Sequence, residues 1–135
     1  MRKIIGLAVV AAAALTLVPA QAAPTNGTVL LPSAGTARAQ RCDGVPNGTF
    51  GYVLDVTGGA DFTLTADGGD DVNDFDIAFY KSITACTADA DAVAAEGDHT
   101  PVAGDESGNV PPDAEVAIVT LYVGTPNSAF TYTEN

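Results

Sequence analysis

Residues 65–80 read TADGGDDVNDFDIAFY, with five aspartates between Asp67 and Asp76 before the chain turns apolar. In the second half, Phe75, Ile77 and Phe79 alternate with Asp74, Asp76, Ala78 and Tyr80, the period of a β-strand with one face in a core. The first half, 67–73, is made of turn formers. Glycine accepts positive φ, and Asp and Asn hydrogen-bond their own backbone. A polar turn feeding a half-buried strand is therefore the unit from which the rest is read.

The same unit recurs on both sides. In TFGYVLDV (49–56), Phe50, Tyr52, Leu54 and Val56 fall on one face, and TGGA (57–60) reads as a turn. DFTLTA (61–66) places Phe62, Leu64 and Ala66 opposite Thr63 and Thr65. AEVAIVTLYV (114–123) is the longest run of β-formers and predicts a strand covered on both faces. GTPN (124–127) turns the chain into AFTYT (129–133), with Phe130 and Tyr132 on one face. Within 82–114, TADADAVAAE (87–96) reads either as a short helix, capped by Thr87 and stopped by Gly97, or as a surface connection. The breaker-rich 97–113 reads as loop with a short strand near Val102. Residues 23–47 are turn-rich, with TVLL (28–31) as an edge strand. Short strands separated by glycine-rich turns predict an all-β, antiparallel β-sandwich, jelly-roll-like, over 48–135.

The N-terminus has a different character. Arg2 and Lys3 precede an apolar run from Ile4 to Val18, Pro19 breaks it, and Ala20-Gln21-Ala22 fits a small-residue cleavage pattern. Residues 1–22 thus read as a cleavable signal peptide, too short in its apolar part to span a bilayer. The expected location is secreted, or periplasmic in a Gram-negative source, with no integral membrane segment after cleavage. All seventeen acidic residues then remain against Arg38, Arg41 and Lys81, a net charge of −14 with His99 neutral. That field excludes nucleic acid as a partner. Cys42 and Cys86, the two thiols of an exported chain, predict a disulfide.

The aspartates offer two readings. Asp70, Asp71, Asn73, Asp74 and Asp76 are candidate calcium ligands, because calcium takes six to eight oxygens and Asp74 and Asp76 share a strand face. The spacing is not that of an EF-hand, and a solvated polar turn explains the same composition. Tyr80, on the Asp74 and Asp76 face, is a candidate contact for a peptide or sugar. A catalytic reading finds little. His99 is the sole histidine, and Ser107 in GDESG is out of register with a nucleophile elbow. With no Trp and its Phe and Tyr committed to core faces, the chain lacks the aromatic platforms of a sugar hydrolase.

The strand DFDIAFY, preceded by FTLTADGG and followed by VPPDAEVAIVTLYVGTPNSAFTYT, resembles the bacterial pre-peptidase C-terminal domain over roughly residues 48–133. The family's Asp-x-Asp-apolar strand maps onto Asp74, Asp76 and Ile77, and its last two strands onto 115–123 and 128–133. The resemblance implies a small jelly-roll module that accompanies exported enzymes. The expectation is a non-catalytic accessory or binding domain for an extracellular protein or polysaccharide, with a calcium-stabilised structural module as the alternative.

Overall fold

The computed structural model describes residues 21–32, 42, 47–67, 73–87, the backbone of 92–96, and 106–135. The predicted signal peptide (residues 1–20 of it), Asp70, Asp71, His99 and the strand expected near Val102 lie outside the described residues. The elements in chain order are β1 (Thr25–Val29), β2 (Tyr52–Asp55), β3 (Asp61–Ala66), β4 (Asp74–Tyr80), α1 (Ile83–Thr87), β5 (Ala92–Glu96), β6 (Glu106–Asn109), β7 (Val116–Val123) and β8 (Ser128–Glu134). They form two four-stranded sheets, ordered β1-β8-β3-β6 and β2-β7-β4-β5, and every pairing is antiparallel. The chain is an all-β sandwich.

Period-2 alternation places the core. Phe62, Leu64, Phe130 and Tyr132 from one sheet meet Leu54, Phe75, Ile77, Phe79, Ala117, Val119 and Leu121 from the other, all buried. Rings cross the gap at edge-to-face angles: Phe62 meets Phe79 at 5.2 Å and Phe75 meets Phe130 at 5.5 Å between centroids. That geometry sets the positive ring edge against the negative face. At the β1 edge, Gly27 lies opposite Phe130 in the ladder, and a Cβ there would collide with the Phe130 ring. In the turn before β3, Gly59 has φ 85° and Ala60 N–H donates to Thr57 O at 3.1 Å, as the expected turn at 57–60 requires.

The second sheet also has a covered outer face. Ala78, Tyr80 and Ile118 pack there against Cys86 of α1, with Cys42 and Ala85 beside them. Ser82 caps α1 by accepting from Ala85 N–H at 3.1 Å. The expected Cys42–Cys86 disulfide is present, Cα to Cα 5.9 Å across a separation of 44 residues. The second half of the run 87–96 forms a strand and not the helix or surface connection that its composition suggests. The helix ends at Thr87, and Ala92–Glu96 pairs with Ile77–Tyr80 of β4. Pairing to an existing strand edge overrides the modest helix preference of an alanine-rich pentapeptide. The expected loop 97–113 contains a strand, β6, which the β3 edge recruits through 61–64.

Candidate metal centre

β4 is buried along its whole length, its aspartates included. Asp74 and Asp76 are each 2% exposed, and Glu106, the first residue of β6, is 8% exposed. These three carboxylates form one group, each offering an oxygen within 4.8 Å of the others. Asp74 and Asp76 belong to one sheet and Glu106 to the other. A register shift between Asp74 and Phe75, where Tyr122 is the extra residue on β7, re-aims the start of β4. Asp76 lies opposite the buried Thr120.

Electrostatics makes this arrangement demanding. Two like charges within 4.8 Å of each other repel by about 3.5 kcal/mol or more at an effective dielectric constant of 20, and three charges make three such pairs. Burial adds the cost of removing each carboxylate from water. A cation or a shared proton is the physical remedy. Lys81 is the sole basic side chain among the described residues; it sits 3.9 Å from Asp113 on the exposed surface. Arg38 and Arg41 lie outside the described residues.

No known protein family, curated protein or solved structure matches this chain.

The oxygens fit a hard ion. Ligands at 2.3–2.6 Å from one calcium can lie no more than about 5 Å apart, and the trio satisfies that limit. The set is all carboxylate, and both cysteines are locked in the disulfide, so the thiolate donors that soft metals favour are absent among the described residues and the oxygens suit a hard cation best.

The other candidate residues fall differently. Asn73 is buried, and its Oδ1 accepts from Thr125 N–H at 2.9 Å and from Ser128 O–H at 2.9 Å. Its amide oxygen thus ties the start of β4 to the β7–β8 turn. Tyr80 is 0% exposed beneath α1, so its ring offers no face to a peptide or sugar. Asp67 is exposed and accepts from Thr131 O–H at 2.7 Å, the role of a strand-end polar residue. Glu106 was not among the sequence candidates. It lies thirty positions beyond Asp76, in a segment whose glycines and prolines read as loop, and only the β3–β6 pairing brings it in.

A second concavity lies where the two sheets open at β1 and β2. A notch of about 420 Å³ is lined by Asn26, Gly27, Thr28, Leu30, Asn47, Gly48, Tyr52 and Asn127. None of these side chains carries a charge, in a chain with seventeen acids. Asn47 is committed to both backbone groups of Val53, whereas Asn26 Oδ1, 2.9 Å from Thr131 Oγ1, shares that hydroxyl with Asp67.

Proposed function

We propose that this chain is an exported, non-catalytic β-sandwich module in which the Asp74–Asp76–Glu106 group binds a divalent cation, calcium by its oxygen chemistry. The observation that carries the reading is the burial of three carboxylates, from two sheets, within one ion's reach. An ion there would couple the start of β4 to the start of β6 and so clamp the sandwich at that edge. Asp70 and Asp71, just upstream in sequence and outside the described residues, are the further candidate ligands toward the six to eight oxygens that calcium takes. The strand order β1-β8-β3-β6 over β2-β7-β4-β5 supports a jelly-roll arrangement, as the resemblance to pre-peptidase C-terminal domains implies. The disulfide is compatible with a secreted or periplasmic location, and no helix of the described residues is long and apolar enough to cross a membrane.

Thermal unfolding of the exported protein in millimolar calcium and in excess chelator tests this. At a hundredfold excess over its dissociation constant, the ion adds about 2.7 kcal/mol. For a domain of this size that is roughly ten degrees in Tm. Asp76→Asn abolishes the shift. Equal Tm with calcium, magnesium, manganese and chelator sinks the cation reading. A large loss on Arg38→Ala or Arg41→Ala would then identify a guanidinium as the counter-charge.

The uncharged notch supports a second reading, in which the module contacts a neutral polysaccharide. Asparagine amides donate and accept at once, as hydroxyl-rich ligands require, and Tyr52 supplies a ring. Affinity electrophoresis through gels containing soluble neutral polysaccharides checks it. Retardation lost in Asn127→Asp, which puts a charge into the notch, supports the reading; mobility that no polymer changes removes it.

A further inference from the structure

Where β1 begins and β8 ends, Ala22, Ala23, Thr25, Asp55, Tyr132 and Glu134 enclose a small pocket of about 70 Å³. That is room for about two water-sized groups. Its charged members are two carboxylates from opposite sheets: Asp55 closes β2 and Glu134 closes β8. Glu134 is held in place, because its Oε1 accepts both Thr57 N–H at 3.0 Å and Tyr132 O–H at 2.9 Å. Burial first, and then the Glu134 bond and charge, push the Tyr132 hydroxyl far above its ordinary range, so it remains a donor to that carboxylate. The opposite wall is chain. Gln21 Nε2 donates to Asn135 Oδ1 at 2.8 Å, and Thr25 pairs with Tyr132, so Ala22 and Ala23 are carried across the pocket between two fixed points. No basic side chain lines it.

Two carboxylates around an ammonium-sized space, in so acidic a chain, call for a small cation. The bond at which the leader is expected to be cut, Ala22–Ala23, runs through that same space. We infer that the Asp55–Glu134 pocket is the binding site for the chain's own α-ammonium, created when the leader is removed after Ala22. The inference rests on the export reading above. An export-linked peptidase adds water across the Ala22–Ala23 amide. The C–N bond breaks, Ala22 leaves as a carboxylate, and the Ala23 nitrogen, gaining hydrogens from water and solvent, becomes an ammonium. In the uncut chain that nitrogen is a neutral amide N–H. Processing therefore turns an uncharged wall into a cation facing Asp55 from β2 and Glu134 from β8, with the neutral Tyr132 hydroxyl and Thr25 as the other neighbours. The start of β1 is then stapled to the ends of two strands from different sheets, which favours the closed sandwich only after export.

The test measures the α-amine pKa of the exported full-length product by pH-dependent competitive labelling, with Lys81, the one other amine expected in the processed chain, as internal reference. Intact mass first fixes the N-terminus. The expected result is a chain starting at Ala23 whose α-amine titrates about one unit or more above the ordinary 7.7–8.0. Asp55→Asn combined with Glu134→Gln, which keeps the bonds to Thr57 and Tyr132, returns it to the ordinary value. An α-amine on Ala23 that titrates normally, and is unmoved by the double substitution, overturns the pocket assignment. A chain starting elsewhere, or uncut, overturns it through the export reading, and the mass distinguishes the two failures.

Discussion

The two faces of β4 are equally dry and chemically opposite. On the inner face Phe75, Ile77 and Phe79 fill the space between the sheets, each at most 2% exposed. On the outer face Ala78 and Tyr80 lie under α1 and the disulfide, while Asp74 and Asp76, further toward the N-terminal end, are 2% exposed and meet Glu106. The inner face is held by apolar area and ring packing, which need nothing beyond the chain. On the other face three carboxylates lie within one ion's reach, where a bound cation would offset their mutual repulsion. A strand with both faces covered thus divides into an apolar side and, at its N-terminal end, a side that clusters acids.

The comparison breaks most directly at the inner face. Phe79→Ala is expected to cost roughly 3–5 kcal/mol, the usual range for emptying a buried aromatic site, read from urea unfolding in either calcium or chelator. A calcium-dependent cost would mean the two faces are not separable. Replacing both cysteines by alanine removes the cross-link that holds α1 over Tyr80, with an expected loss of roughly 2–4 kcal/mol. The calcium shift should survive in that variant, because Asp74, Asp76 and Glu106 lie outside the Cys86 cluster.

Asp76→Asn should reverse sign with conditions. In chelator it relieves two like-charge pairs and raises Tm above the parent; in calcium it loses a ligand and falls below. Parallel curves for the two proteins would remove the electrostatic argument for β4's outer face.

The smallest effect lies at the opposite edge of the sandwich. The Tyr132 hydroxyl titrates higher in the folded chain than the ordinary value of about 10, chiefly through burial and then through Glu134. The folded state thus keeps a proton that the unfolded state loses, so this contribution is fully present below about pH 10 and fades as pH rises further. Tyr132→Phe should flatten that alkaline decline in a pH series of urea midpoints, and an unchanged slope would assign the decline to other groups.

Much of the inner face was legible in the sequence, because alternation of large apolar residues has one structural meaning in strands this short. DFTLTA and DFDIAFY match β3 and β4, and Phe130 and Tyr132 fall inward as the pattern predicts. Two weak strands were not legible. Ala92–Glu96 carries a helix-compatible composition, and Glu106–Asn109 contains Gly and Asn, so each owes its form to a neighbouring strand edge rather than to its own residues. The site suffered from the same gap. Asp74 and Asp76 could be paired from their i, i+2 spacing, but Glu106 joins them only through tertiary pairing of a segment with no period. Tyr80 was misjudged for a related reason: alternation tells which residues share a face, not whether a helix covers it.

The most direct test of the central claim is the calcium stoichiometry of the protein, measured by equilibrium dialysis beside the variant Asp74→Asn, Asp76→Asn, Glu106→Gln. The account predicts one tightly held ion per chain in the parent and none at that site in the amide variant, with the variant folded and insensitive to chelator. Equal, weak binding by both proteins would contradict it and return the three carboxylates to a purely structural role.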